Sequence, residues 1–250
     1  VDATMVLDPQ NEPFPVQVQR DVAGMQVIEL QELAYPYFVD VRQDAMDEEN
    51  PIVANLPAVT MQWTSPLALD DAKNQDREVS VLLQSTDQSW LRSETDVQPN
   101  PEQYPPYGFP VEGEQEARPL AVALRGSFES FFQDRTSPFE AASPSNPDEA
   151  QSSAVGATAA VTDTEESGLG TIQVSPESAR LVVFGSNEFI DDTVLEISSR
   201  LSADRYLNNL QLIQNAVDWS VEDEDLLSIR SGSTQARLLQ PLNQQQQSRW

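Results

Sequence analysis

The sequence predicts an α/β fold in which a sheet is flanked by helices, and two observations carry that prediction. Apolar segments with strand character recur along the chain, and the clearest are VSVLLQ at 79–84 and RLVVF at 180–184. The second of these precedes two segments whose apolar residues have helical spacing. The apolar residues of each segment share one helical face: Ile190, Val194, Ile197 and Leu201 in the first, and Tyr206, Leu210, Ile213 and Val217 in the second.

The remaining elements follow from local patterns in chain order. We expect strands at 5–7, 14–18, 35–41, 53–63, 79–84, 120–124 and 180–184, and a short final strand at 226–230. Residues 25–33 fit either a helix or a strand, and the prolines between 93 and 118 predict an irregular loop. Asp204 is the expected N-cap of the second helix, because its side-chain oxygens can accept hydrogen bonds from the first turn.

The composition excludes several kinds of chemistry. The chain has no His and no Cys, which rules out a Ser-His-Asp triad, a thiol nucleophile, a disulfide and a histidine-bound metal. Its 14 basic and 41 acidic residues give a net charge of −27, which repels nucleic acids and anionic lipids. Lys73 is the one lysine, and either a salt-adapted organism or Arg-favouring codon usage explains this scarcity.

One segment differs in composition from the rest. Residues 134–177 are rich in Ser, Ala, Thr, Pro and Glu and poor in large apolar side chains. Such a segment buries too little apolar surface to offset the entropy lost on ordering. We therefore expect a long flexible insertion at 134–177 within one α/β domain formed by 1–133 and 178–231, followed by a Gln-rich tail at 232–250.

The turn at Gly185–Phe189, after RLVVF, is the first candidate site. It joins an apolar strand to a helix, and anions bind in α/β proteins where helix N-termini offer free N–H groups. The alternative, which we favour, is structural: Gly185 permits the tight turn through a positive φ, and Ser186 or Asn187 caps the helix. The chain contains neither a GxGxxG nor a Walker A motif, so we assign no cofactor.

Carboxylates, hydroxyls and aromatic rings supply the other candidates. Acidic clusters lie at 47–49, 70–71, 191–192 and 222–225, and we favour a solvated acidic surface for each. The hydroxyls of 85–90 either bind a small ligand or, as we favour, turn the chain. Candidates for stacking on a sugar ring are Trp63, Trp90, Tyr104 and Tyr107. We assign no catalytic, cofactor-binding or metal-binding residue.

An ordered set of segments resembles one family. The segments are VLDPQNEP at 6–13, NPIVANLP at 50–57, VLLQSTDQSWL at 81–91, PLAVAL at 119–124, RLVVFGSNEFIDD at 180–192 and NLQLIQNAVDWSVEDEDLLSIR at 209–230. Together they resemble the extracytoplasmic part of GldG-type auxiliary proteins of ABC-2 transporters, a group that includes a gliding-motility component. Where that family has a His before Pro-Ile, this chain has Asn50, for which we expect a role in the turn.

The resemblance implies an architecture and a location. Such proteins carry an extracytoplasmic α/β region, similar to glutamine-amidotransferase-like and flavodoxin-like folds without their catalytic residues. It implies a periplasmic domain held at the inner membrane by anchors outside this chain, with the permease and ATPase subunits of an ABC transporter as partners. On this basis residues 232–250, which end in Ser248-Arg249-Trp250, are expected to be juxtamembrane.

The leading functional hypothesis is a non-catalytic accessory domain that docks on the permease or contacts substrate or envelope. Two alternatives stay open. One is a glycan or small-molecule binding module, which would use the four aromatic residues. The other is an envelope hydrolase, which needs two carboxylates about 5–10 Å apart. An apolar patch on an otherwise acidic surface is the observation that favours the accessory domain.

The charge excess yields a prediction about stability. Because the net charge of −27 repels itself and added ions screen that repulsion, the melting temperature should rise from low to molar sodium chloride. Thermal melts followed by circular dichroism measure this. A flat or falling melting temperature would contradict salt adaptation.

Overall fold

The computed structural model describes residues 4–22, 25–133, 135, 173–199 and 203–221. It shows a mixed α/β fold of several small sheets with helices, which confirms the predicted class. The strands are β1 Met5–Leu7, β2 Phe14–Val22, β3 Met25–Leu33, β4 Phe38–Arg42, β5 Ala58–Gln62, β6 Glu78–Gln84, β7 Trp90–Arg92, β8 Pro119–Arg125 and β9 Arg180–Phe184. Two short 3₁₀ segments lie at Gln43–Ala45 and Glu188–Ile190, and the α-helices are α1 Asp192–Ser199 and α2 Ala203–Ser220. Within these described ranges no helix is both long and apolar enough to cross a membrane.

The chain divides into two compact units. The first comprises residues 1–124 and 180–250, and the second comprises 125–179. In the second unit, Ser175 N–H donates to the Phe128 carbonyl at 2.9 Å, and Glu129 pairs with Val174 in an isolated bridge. Most of the predicted insertion at 134–177 lies outside the described residues, as do the predicted strand at 226–230 and the tail at 232–250.

The sheets are small and antiparallel wherever the described residues fix the strand direction. The pairs are β1 with β7, β2 with β3, and β4 with β5. The fourth sheet has three strands in the order β6-β8-β9. There, Ser85 N–H donates to the Arg118 carbonyl and Gly185 N–H to the Leu120 carbonyl. The ends of β6 and β9 therefore both lie beside the start of β8, which makes β8 antiparallel to both.

Two apolar clusters form the core. The larger one packs β4, β5, β6 and β8 against Phe189 and the inward side of α2, including Leu212 and Ala216. The smaller one is aromatic and contains Tyr35, Tyr37, Phe38, Trp90 and Phe109 with Leu7. Burial of these rings, which pack edge-on or tilted against one another, is the main source of stability in that part of the fold.

Asparagine side chains of α2 bind the open edge of β5. Asn209 Nδ2 donates to the Thr60 carbonyl at 2.9 Å, and its Oδ1 accepts the Thr60 N–H at 3.2 Å. Asn208 Nδ2 donates to the Ala58 carbonyl at 2.9 Å. Asn209 is 1% exposed, so these bonds satisfy backbone groups that no water reaches.

Several local expectations are confirmed and others change. Residues 25–33 form a strand, which settles the open alternative. The expected strand at 53–63 is confined to Ala58–Gln62 because a turn occupies 51–55. In that turn Asn50 Oδ1 accepts the Ile52 N–H at 3.1 Å, which confirms its predicted role. The helix α2 begins at Ala203, so Asp204 lies in the first turn and is not its N-cap.

The turn at Gly185 joins three parts of the fold. Its N–H donates to Leu120, and its carbonyl accepts the Ser65 N–H at 2.8 Å. The expected positive φ is wrong: among the described glycines, Gly108, Gly113 and Gly126 have it, and Gly185 does not. Glycine is required for another reason, because a Cβ at Gly185 would lie 2.2 Å from the Ser65 carbonyl oxygen.

This contact predicts a large loss of stability for Gly185→Val. Backbone atoms of Ser65 and Leu120 surround the site, so the strands must separate to admit a side chain, at a cost of about 3 kcal/mol or more. Urea denaturation measures the change. Two controls separate the causes. Glu188→Gln should be near neutral, and Gly113→Ala should cost about 1 kcal/mol, because Gly113 has a φ of +76° but open space around it. Unchanged stability of Gly185→Val would refute this account.

Candidate functional site

The turn at Gly185–Phe189 uses its polar groups within the fold. Ser186 Oγ donates to the Gln62 carbonyl at 2.6 Å and accepts the Glu188 N–H at 3.0 Å. Phe189 is 1% exposed, and its carbonyl accepts a hydrogen bond from Asn209 Nδ2 at 3.0 Å. The hydroxyl and the amide that an anion would approach are therefore already bonded, and the geometry supports the structural interpretation of this turn.

The buried carboxylate Asp8 was not among the residues singled out from the sequence. It is fully buried and lies directly after β1. Its Oδ2 accepts the Thr86 N–H at 2.7 Å, and its Oδ1 accepts both the Thr86 hydroxyl at 2.9 Å and the Gln10 N–H at 2.8 Å. These bonds fasten the segment after β6 to the segment after β1. Burial raises the pKa of Asp8, against the opposing effect of the Thr86 and Gln10 N–H groups.

A second buried carboxylate, Asp40, lies on β4 and adds to the raised pKa of Asp8 through its negative charge. Asp40 is 3% exposed, and its Oδ2 binds the Arg42 guanidinium at 2.5–2.6 Å. Two buried carboxylates near each other are what the hydrolase alternative requires. Asp8, however, accepts hydrogen bonds from Thr86 and Gln10, and Asp40 pairs with Arg42, so both carboxylates have a structural role.

The four aromatic candidates do not form one open platform. Trp90 is fully buried and packs on Tyr107, with ring centres 5.7 Å apart. Trp63 packs edge-on against Phe38 at 4.9 Å, and its Nε1 donates to the Tyr35 hydroxyl at 3.3 Å. Tyr104 is partly exposed and accepts a hydrogen bond from Gln103. The rings of Trp63, Trp90 and Tyr107 thus serve the aromatic core rather than a sugar-binding surface.

The hydroxyl segment at 85–90 turns the chain, as favoured. Ser85 and Ser89 hydroxyls lie 2.8 Å apart, and Ser89 Oγ donates to the Glu116 carbonyl at 2.6 Å. Arg118 N–H donates to Ser85 Oγ at 2.9 Å. These side chains tie the start of β8 to the end of β6.

Acidic clusters within the described ranges have local structural roles. Asp191 Oδ1 accepts the Thr193 N–H at 2.8 Å and so caps α1, and the hydrogen bonds from Thr193 lower the pKa of Asp191. Asp47 accepts a hydrogen bond from the Ser80 hydroxyl. The cluster at 222–225 lies outside the described residues. In the part of the chain that is described, no group of three or more acidic residues could hold a metal ion.

A shallow groove of about 240 Å³ lies beside β8. Its apolar lining includes Leu67, Val122 and Val183, and Lys73 stands at its rim. The Lys73 ammonium pairs with Asp70 at 3.7 Å. An ammonium already paired and largely solvated contributes little to binding an anion.

The buried position of Asp8 yields a pH prediction. Because burial raises its folded-state pKa above 3.8, the folded protein holds this proton more tightly than the unfolded chain does. Its contribution to stability is therefore full below pH 3.8 and falls as the pH rises through the raised pKa. The difference in unfolding free energy between wild type and Asp8→Asn, measured by urea denaturation across pH, should fall over that window. A difference that grows with pH would mean that hydrogen bonding outweighs burial.

Comparison with known proteins gives a family. A family model described as an ABC-type uncharacterized transport system matches residues 1–221 of the 250. Comparison with curated proteins and with solved structures gives no match. The expected resemblance to ABC transporter auxiliary proteins is confirmed at the level of this family, and the GldG-type assignment stays a prediction. With most of its length matched, the chain belongs to the family of auxiliary components of ABC-type transport systems.

Proposed function

We propose that this auxiliary component is a non-catalytic domain that docks on the transporter's permease from the extracytoplasmic side, through the hairpin formed by β2 and β3. The hairpin is the observation that carries the proposal. Its strands pair over their full nine residues, from Phe14↔Leu33 to Val22↔Met25, and they form a sheet with no other strand in the described ranges.

The outer part of the hairpin exposes large apolar side chains among polar ones. Met25 is 68% exposed, Ile28 64% and Val27 45%, whereas Phe14 and Pro15 at the base are partly or fully buried. A two-stranded sheet with uncovered apolar side chains has little stability of its own and gains it by adding a strand or a surface. This supports a binding role for the outer part.

The two edges of the hairpin differ in their capacity to pair. Pro15 has no N–H, so it fits a position whose backbone nitrogen faces away from β3. Backbone N–H groups point alternately toward and away from the partner strand. The Gln19 N–H therefore points away from β3, as position 15 does, and the N–H of its cross-strand partner Ile28 points away from β2. The β2 edge thus lacks a donor at Pro15, while the β3 edge keeps its full set.

We therefore assign the β3 edge as the docking surface for an extended segment of the permease. In this binding mode the backbone supplies affinity and the alternating side chains supply selectivity. The chain's net charge of −27 favours a segment that is uncharged or basic over an acidic one. A periplasmic location and membrane anchoring outside this chain belong to the same proposal and rest on the family resemblance.

Two proline variants test the hairpin with matched backbone changes. Gln19 and Ile28 form one cross-strand pair, so Ile28→Pro removes an N–H from the β3 edge and Gln19→Pro removes one from the β2 edge. Neither substitution removes a hydrogen bond between β2 and β3. With a tagged permease and the ATPase of the transporter, we expect Ile28→Pro to lower co-purification by about tenfold or more. Gln19→Pro should retain it.

A third variant separates the backbone from the side chain. Ile28→Thr keeps the N–H and should bind more strongly than Ile28→Pro. Equal losses for the two proline variants would point to the folding of the hairpin rather than to the β3 edge. Co-purification that Ile28→Pro leaves intact would exclude this edge as the docking surface.

A further inference from the structure

The strand β9 lies at the edge of its sheet but has the sequence of an interior strand. Among the described residues it pairs only with β8. After Arg180 its residues are all large and apolar, with no charge and no proline to discourage further pairing. Continuous apolar runs are typical of strands in the interior of a sheet, and natural proteins cover or interrupt an apolar edge. The sequence of β9 therefore indicates that its outer edge is covered.

The pairing with β8 identifies the backbone groups at that edge. Gly185 N–H donates to the Leu120 carbonyl at 2.8 Å, so Gly185 directs its N–H toward β8. Because these directions alternate along a strand, Val182 and Phe184 direct their N–H and carbonyl groups to the outer edge. In the part of the chain that the structure describes, no backbone hydrogen bond reaches these groups of Val182 and Phe184. A strand laid along β9 would pair with both residues.

The helix α2 carries the chain back to the start of β9. In its first half, Asn209 Nδ2 donates to the carbonyl of Phe189, which lies five residues beyond the end of β9. At its other end, the Trp219 carbonyl accepts a hydrogen bond from Arg180 Nη1 at 2.6 Å. The Arg180 guanidinium also lies 4.9 Å from the centre of the Trp219 ring. The helix therefore runs antiparallel to β9 and ends beside Arg180.

We propose that residues 226–230 of this chain cover the outer edge of β9 as a parallel fourth strand of the sheet. The segment, LLSIR, lies outside the described residues, and its apolar residues predict a short strand. It follows Val221 after four acidic residues, 222–225, and such a charge run is typical of a solvated connection. This contact is independent of the β3 edge assigned above to the permease.

The end of α2 determines the direction of the added strand. A chain that leaves α2 beside Arg180 can enter a parallel strand directly. The strand β9, the helices and residues 226–230 then form a β-α-β unit, the usual connection between parallel strands, and we expect its crossover to be right-handed. An antiparallel strand would have to begin beside Phe184, about 13 Å farther along the sheet. The short connection at 222–225 would first have to cover that distance.

The alternation of side chains assigns the two faces of the added strand. Val182 and Phe184 pack against the larger core, whereas Leu181 lies on the opposite face and is 42% exposed. In 226–230 the odd-numbered residues are Leu and Ile, and the even-numbered residues include Ser and Arg. We therefore place the odd-numbered residues on the core side. In a parallel pair, the even-numbered residues then direct their backbone groups at β9.

A segment of the same chain is favoured over a second copy as the occupant of this edge. The tether of four residues gives 226–230 a millimolar effective concentration at β9. Two chains of net charge −27 instead repel each other. Edge-to-edge pairing of two copies would therefore have to compete with a contact that is already in place.

Amide hydrogen exchange of the 250-residue chain, followed by NMR, tests whether the edge is covered. The outward N–H groups of Val182 and Phe184 should exchange as slowly as those of β8. Ser228→Pro removes an N–H directed at β9 and should speed their exchange by about tenfold or more. Ser233→Pro makes the same substitution in the Gln-rich tail and should leave it unchanged. Fast exchange of Val182 and Phe184 in the wild type, or equal effects of the two variants, overturns the proposal.

Disulfide trapping tests the direction of the strand and the identity of the occupant. The chain has no Cys, so two introduced thiols can react only with each other or with a second copy. The pair Leu181→Cys and Leu226→Cys should form a disulfide within one chain, since a parallel strand places these positions side by side on one face. The matched pair Leu181→Cys and Arg230→Cys should stay reduced, because position 230 lies about 13 Å beyond position 226.

Mass spectrometry of unreduced peptides distinguishes the outcomes of the trapping experiment. A disulfide between positions 181 and 230 would show an antiparallel strand. A disulfide between two chains would show that a second copy occupies the edge. Either result, or the absence of a disulfide between positions 181 and 226, contradicts the proposal.

Discussion

The contact between α2 and the edge of β5 is the constraint on which the rest of the larger core depends. Each strand edge presents backbone N–H and carbonyl groups, and those buried without partners carry a large free-energy cost. The strand β5 pairs with β4 on one side. On the other side, the Asn208 and Asn209 side chains bind its backbone where a further strand would otherwise do so. Asn215 extends the arrangement by donating to the Ile52 carbonyl at 3.0 Å. A helix near the end of the chain thereby completes a sheet built from its first quarter.

This use of polar groups fixes the rotation of α2 about its own axis. With the Asn209 and Asn215 amides directed at the backbone of 52–60, Leu212 and Ala216 must face the core, and Leu207, Leu210 and Val217 must face outward. Asn209 also donates to the Phe189 carbonyl. The turn at 185–189 is therefore held at Gly185 by Leu120 and Ser65 and at Phe189 by α2. The exposure of Leu207, Leu210 and Val217 is thus a consequence of how the asparagine side chains anchor the helix. The Gly185 contact and the Asn209 bonds together join the three-stranded sheet to β5 and α2.

The sequence predicts this fold where a single physical signal dominates. Continuous apolar runs identified β6, β8 and β9, and helical spacing identified α1 and α2. Residues 25–33 stayed ambiguous because alternation and helical spacing both fit them, and only pairing with β2 decides the matter. Asn209 and Asp8 were missed because a polar residue normally indicates solvent, and their bonding partners are distant in sequence. Trp63 and Trp90 stayed candidates for a stacking surface because composition cannot tell a buried ring from an exposed one. At Gly185 the need for glycine was predicted but its cause was not. The cause is the close approach of the Ser65 backbone, which is distant in sequence and meets Gly185 only in the folded structure.

The self-contained pairing of β2 with β3 has a consequence for how this domain can change over evolution. Since the two strands pair only with each other in the described ranges, a length change in them leaves the ladders of the body intact. Successive side chains lie on opposite faces of the sheet. Inserting two residues into each strand therefore keeps every side chain on its original face and moves the tip outward by about 7 Å. Inserting one residue into each would instead turn the apolar side chains of the tip to the opposite face. The reach of the hairpin is therefore adjustable in discrete steps of two residues per strand, without a change in the rest of the fold.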